Sequence, residues 1–148
     1  MKKLMLSLLV IISFSCKKAT LDVTPKITYN SMYPQMIVAG ATTGSASIAI
    51  HFSDGDGDIG FGTNNLFLKD SRDSSTVIFA IPEIPMEYSP NKGITGTILV
   101  NYPTALLSLR ADTNHLHSDT LCWEIYMKDK AGHISNTIVT DSLILTKP

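Results

Sequence analysis

The sequence predicts an all-β domain, an antiparallel sandwich of about seven strands. Three observations lead there. Thr, Ser, Val and Ile are frequent and are punctuated by Pro and Gly. Several short segments alternate apolar and polar residues with period two, and no run of about ten residues carries helical spacing of its apolar positions.

Segment 45–52 alternates most clearly. Ala46, Ile48, Ile50 and Phe52 are expected to face a core, with Ser45, Ser47, Ala49 and His51 outward, and the strand stops at Ser53-Asp54. Segment 94–102 repeats the pattern through Ile94, Ile98, Val100 and Tyr102, and Pro103 closes it because proline cannot donate to a ladder. In segment 121–127, Leu121, Trp123, Ile125 and Met127 form one face, while Cys122, Glu124, Tyr126 and Lys128 form the other. Trp123 reads as a core anchor. Weaker strands are predicted at 26–32, 65–68, 76–81 and 136–145. Pro82, Pro85 and Pro90 mark a long connection, 82–93, expected to run over the surface.

The N-terminus has a different character. Lys2 and Lys3 precede an apolar run from Leu4 to Phe14, broken only by Ser7 and Ser13, that ends at Ser15-Cys16. A charged start, a short apolar run and a small residue before a cut describe a secretory signal peptide over residues 1–15. A run of about 11 residues at 1.5 Å each is too short to span a hydrocarbon core of roughly 30 Å. Cys16 stands where a thiol would accept a diacylglycerol before cleavage. Ser13-Phe14-Ser15-Cys16 resembles a lipobox, with Ser at the first position in place of the usual Leu. The competing reading is an ordinary signal cut with Cys16 a bystander. Acyl chains contribute about 0.8 kcal/mol per buried methylene, so a multiply acylated Cys16 anchors the chain to a membrane without a spanning helix.

Three units follow: a signal peptide at 1–15, a lipidated Cys16 with a tether at 16–25, and one β-domain at 26–148. With Cys16 acylated, Cys122 is the sole remaining thiol, so no internal disulfide forms and the core alone must hold the domain. Without Lys2 and Lys3 the chain carries 10 basic against 13 acidic side chains, a formal charge of −3. That balance gives no nucleic-acid surface.

Ser53-Asp54-Gly55-Asp56-Gly57-Asp58-Ile59-Gly60 follows a strand directly. Three carboxylates at alternating positions, with glycine between them, turn several oxygens toward one point. Calcium takes about 6–8 hard oxygen ligands, so Asp54, Asp56 and Asp58 are candidate Ca2+ ligands. Counted from Asp54, Ile59 and Asn65 occupy the positions that an EF-hand reserves for Gly and Glu, and neither flank is helical, so this is a different kind of loop. The alternative is a glycine-rich turn whose Asp side chains cap backbone amides.

A second loop, Lys128-Asp129-Lys130-Ala131-Gly132-His133, follows the Trp123 strand. In a seven-stranded immunoglobulin-like sandwich the second and sixth strands send their outgoing loops to the same end. Asp129 is therefore a candidate fourth ligand. Its alternative role is to organise its own turn through backbone hydrogen bonds.

Phe52-Ser53-Asp54-Gly55-Asp56-Gly57-Asp58-Ile59-Gly60, with the later run from Glu124 through Asp129, Gly132 and His133 to Ser135-Asn136, resembles a group of Bacteroidetes-type lipoproteins. These pair a DGDGDIG segment with a DxAGNxSN segment, and the likeness covers most of residues 45–140. It implies an immunoglobulin-like fold and lipid anchoring, and brings no activity with it. His133 replaces the Asn usual in the second motif. Surface-exported lipoproteins of such bacteria often carry acidic residues after the acylated Cys, whereas Lys17-Lys18-Ala19-Thr20 stand here, which leaves the leaflet open.

Other constellations read as bland. His115 and His117 form a solvated pair without a third ligand, Asp70, Arg72 and Asp73 a solvated charged turn, Glu83 and Glu87 separated loop residues, and Cys122 a small packing residue. No Gly-x-Ser-x-Gly, His-Glu-x-x-His or phosphate loop occurs. The expectation is a non-catalytic, envelope-anchored lipoprotein of the outer membrane with a calcium-binding loop, acting as an interaction or accessory module toward a protein or glycan partner. Two alternatives stand beside it: a glycan-handling or metal-dependent enzyme using the acidic loop, and an inhibitor or immunity-type lipoprotein.

Overall fold

The computed structural model describes residues 21–85, 93–110 and 118–147. Residues 1–20, with the signal segment and Cys16, lie outside these, as do Glu87, Pro90, His115 and His117.

Among the described residues, ten strands form an immunoglobulin-like β-sandwich: β1 (Lys26–Tyr33), β2 (Met36–Val38), β3 (Ser45–Asp54), β4 (Asn64–Asp70), β5 (Thr76–Ala80), β6 (Ile94–Pro103), β7 (Ser118–Leu121), β8 (Trp123–Met127), β9 (Ile138–Val139) and β10 (Leu143–Thr146). The one helical turn among the described residues is 3-10, at Thr104–Leu106. One layer has the order β1-β3-β6, all antiparallel. The other consists of β2-β10-β7 and β5-β4-β8-β9.

These last two assemblies are successive lengths of one layer, because β7 runs into β8 across Cys122 alone. β10 pairs with β7 at Leu143↔Leu121, and β9 pairs with β8 at Val139↔Glu124. The pairing therefore slips by one residue between the two lengths. Thr140 bridges the slip: its hydroxyl accepts from the Trp123 N–H at 3.0 Å, and its own N–H donates to the Trp123 carbonyl at 3.0 Å. At Cys122 the backbone turns to Ser71, whose Oγ accepts the Cys122 N–H at 3.1 Å.

Three sequence expectations need correction here. Segment 121–127 is two strands divided at Cys122, and segment 136–145 is likewise two. β2 was not foreseen; it is three residues long and is held by parallel pairing to β10. Ala49 sits on the outward parity of β3 yet is covered, at 8% exposure.

The inward faces close as the alternation requires. Ala46, Ile48, Ile50 and Phe52 of β3, with Val100 and Tyr102 of β6, pack against Leu66, Leu68, Trp123, Ile125, Met127, Leu143 and Leu145 of the other layer. The Trp123 ring lies 5.0 Å from that of Tyr102, tilted by 37°. Such aromatic pairs add about 0.5–1.5 kcal/mol beyond their burial. On the outer face Phe67 and Tyr126 stack at 4.7 Å.

The turn after β4 is also corrected. Asp70 is buried, and the Arg72 side chain is only 11% exposed. The guanidinium donates to both Asp70 oxygens, with Nη2 at 2.7 Å from Oδ2, and its Nη1 reaches Asp119 Oδ2 at 2.6 Å. Arg110 continues the network to the Arg72 carbonyl and to Asp73. The hydrogen bond that Arg72 donates to Asp70 leads in raising the Arg72 pKa. A solvated turn was expected because the three charges are close in sequence; the burying partner, Asp119, is 47 residues from Arg72.

Candidate metal centre

Strand parity delivers the two buried aspartates. On β3 the inward positions run Ala46, Ile48, Ile50, Phe52 and then Asp54, which is fully buried. On β8 they run Trp123, Ile125, Met127, and the next position of the same parity is Asp129, 1% exposed. Both strands thus end by pointing a carboxylate into the same end of the sandwich. Asp58 is half-buried and Asp56 exposed at the rim.

The structure brings all four aspartates together: one oxygen from each of Asp54, Asp56, Asp58 and Asp129 lies within 4.8 Å of the others. Ligands across a calcium ion at about 2.3–2.6 Å stand roughly 4.6–5.2 Å apart, so the four oxygens fit around one such ion. The donor set is all carboxylate, as a hard cation requires.

The loop is shaped by its own hydrogen bonds. Asp54 Oδ2 accepts the Asp58 N–H at 2.9 Å, and Asp58 Oδ2 accepts the Ala131 N–H at 3.0 Å, which ties the first loop to the second. Gly57 at φ +77° turns the chain between Asp56 and Asp58, in a conformation that disfavours any side chain. The remaining oxygens, Asp54 Oδ1 and Asp58 Oδ1, are buried without any hydrogen-bond partner. A buried carboxylate oxygen left so is costly unless a cation or proton meets it.

No Lys or Arg lies within ion-pair distance of Asp54, Asp56 or Asp58 among the described residues. Burial first, and then the Asp56 charge, push the Asp54 pKa up to about 7. Burial also raises Asp58, with the charges of Asp129 and Asp56 behind it. A bound divalent ion reverses this logic by favouring the ionised forms.

Asp129 has two roles at once. Its Oδ1 accepts the Gly132 and His133 N–H groups at 2.6 and 2.7 Å, so it organises its own turn. Its Oδ2 faces His133 Nδ1 at 2.8 Å, and this contact raises the His133 pKa.

Three supporting residues were not singled out as such in the sequence. Asn65 is buried; its Nδ2 donates to the Ile59 carbonyl at 2.6 Å and its Oδ1 accepts the Ile81 N–H at 2.8 Å, clamping the end of the acidic loop. Ser135 Oγ accepts the Met127 N–H at 3.0 Å. Asn136 makes a two-sided bond to the Ile27 backbone at 2.9 and 2.8 Å. The polar residues of the second motif therefore brace the backbone around the site. A polar residue inside a strand pattern, such as Asn65, is the signal that points to such a brace. Glu83 stands apart on the exposed 82–85 stretch.

Fold and site together define an immunoglobulin-like sandwich with a carboxylate-lined end. Comparisons of the chain with known protein families, curated proteins and solved structures give no match.

Proposed function

We propose that this chain is a non-catalytic envelope lipoprotein, anchored through an acylated Cys16, whose β-sandwich is stiffened at one end by a calcium ion held by Asp54, Asp56, Asp58 and Asp129. On this reading it serves as an interaction or accessory module. The observation that carries it is the pair of buried carboxylate oxygens, Asp54 Oδ1 and Asp58 Oδ1, that meet no hydrogen-bond donor. Four carboxylates whose one basic neighbour among the described residues is the His133 ring at Asp129 lower their mutual repulsion by taking up a divalent cation.

An enzyme would need such carboxylates to converge on a cleft. A groove of about 490 Å³ runs between Phe52, residues 81–85 and β6; its lining is largely apolar, and Glu83 is its one carboxylate. None of the four aspartates lines it, which favours a structural ion over a catalytic one.

Calorimetric titration of the full chain with calcium tests the ion. Saturable binding with a rise in melting temperature is expected, and no change at millimolar calcium sinks the assignment. Anchoring is tested with radioactive palmitate: label is expected on the parent and absent from Cys16→Ala, and equal labelling of both rejects Cys16 as the anchor.

A further inference from the structure

We infer that cation binding at the aspartate cluster locks the chain segment that leads into the domain, so that occupancy of the site decides whether residues 21–25 are docked on the sandwich or swing free. This rests on the cation reading above, which itself stands on the unpartnered, fully buried Asp54 carboxylate as well as on the clustering.

The incoming segment is gripped at its backbone by the acidic loop. Gly55, between Asp54 and Asp56, donates its N–H to the Asp22 carbonyl at 2.7 Å. The backbones touch so closely that a Cβ on Gly55 would lie 2.5 Å from the Leu21 carbonyl oxygen and 2.7 Å from the Asp22 carbonyl carbon. Gly93 completes the seat: a Cβ there would meet the Asp54 carbonyl oxygen at 2.5 Å and Leu21 Cδ1 at 2.9 Å. Five residues beyond Asp22, Asn136 of the second motif holds the Ile27 backbone from both sides. Little else holds residues 21–23, because Leu21 and Val23 are exposed and the Lys26–Asp22 ion pair is a solvated one at 3.4 Å.

The coupling follows from position. Without a cation, Asp54, Asp56 and Asp58 relieve their repulsion by spreading, and Gly55 must move with its two neighbours. Its N–H then leaves Asp22, and the segment loses its main backbone contact. A bound cation draws the carboxylates together and holds Gly55 in place. For a chain tethered by its N-terminus, this converts ion binding into a fixed orientation of the domain on its anchor.

Hydrogen exchange on the full chain, in millimolar calcium and in chelator, tests the coupling. Calcium is expected to slow exchange at the Gly55 amide and in residues 22–27 by about tenfold or more. Gly55→Ala separates the two ideas, because φ at Gly55 lies outside the left-handed region and the nearest atoms the added methyl meets are the Leu21 and Asp22 backbone. Because coupling is reciprocal, it should lose the calcium-dependent protection of residues 22–25 and bind calcium more weakly than the parent, by no more than the factor by which calcium slows exchange there in the parent. Calcium binding by calorimetry without slowed exchange at 22–25 in the parent overturns the coupling and leaves the cation site standing, as does Gly55→Ala retaining full protection. No calcium binding by the parent overturns the cation site, and the coupling with it.

Discussion

The two ends of the sandwich solve one problem in opposite ways. At each end, strand alternation carries an aspartate inward past the last apolar residue. On β4 the sequence Leu66, Leu68, Asp70 ends at Arg72, whose guanidinium takes both Asp70 oxygens and reaches Asp119. On β3 the sequence Ile50, Phe52, Asp54 ends at more carboxylates, with no Lys or Arg paired to Asp54 among the described residues. A buried carboxylate needs a counter-charge, a proton or donors. One end carries its cation in the chain; the other, on the proposed reading, takes one from solution. If that reading holds, the first end keeps its counter-charge under all conditions, whereas the second depends on what is bound.

The sharpest way to break this comparison is to remove the internal cation. Arg72→Ala leaves Asp70 and Asp119 facing each other without their partner, and losing one member of a buried ion pair costs about 3–5 kcal/mol. Urea denaturation should show this loss equally in calcium and in chelator, because the change lies at the far end. A loss under about 1 kcal/mol would mean that Asp70 is as hydrated as an ordinary surface turn.

The second test uses pH. Asp54 titrates near 7 in the folded chain against 3.8 as a free side chain, so the folded state holds a proton that the unfolded state has lost between these values. Stability from this group is therefore greatest in acid and falls as pH rises toward 7. Between pH 5 and pH 8 the calcium-free protein should lose about 2–3 kcal/mol from Asp54. Asp58 and His133, both raised, act in the same direction. Asp22, Asp73 and Asp119, all lowered, lose their contribution only below the range of an ordinary carboxylate and stay constant across this window. Saturating calcium should flatten the profile, since it binds the ionised carboxylates. A calcium-free profile that rises from pH 5 to pH 8 would contradict the assignment of Asp54 as the strained group.

Much of this contrast was legible in the sequence, and the missing parts have a common cause. Ser45 to Phe52 announced β3, and the DGDGD spacing announced a cluster. Extending the same parity by one step places Asp54 inside, and the parity of Trp123, Ile125 and Met127 does so for Asp129. What parity cannot supply is a partner far along the chain. Arg72 meets Asp119 across 47 positions, Asn136 meets Ile27 across 109, and β2 exists because β10 lies beside it. Local pattern reports which face a residue takes, whereas the tertiary fold decides what waits there. The slip at Cys122 belongs to the same class, since Ser71 and Thr140 set it from neighbouring elements.

The smallest expected effect sharpens the role of Asp129. Its Oδ1 is engaged by two backbone N–H groups, while Oδ2 is held only by the exposed His133 ring. If Oδ2 is the ligand atom, His133 competes with the ion for it, and a protonated ring competes best. His133→Asn should therefore raise calcium affinity by on the order of threefold at pH 6 and by less at pH 8, because solvated pairs of this kind are weak. The turn itself should survive, since the two backbone bonds to Asp129 Oδ1 do not involve the ring. Calorimetry at the two pH values decides it. An unchanged affinity at both would confine Asp129 to organising its turn and leave the ion to Asp54, Asp56 and Asp58; a lower affinity would mean that the imidazole supports the site instead of opposing it.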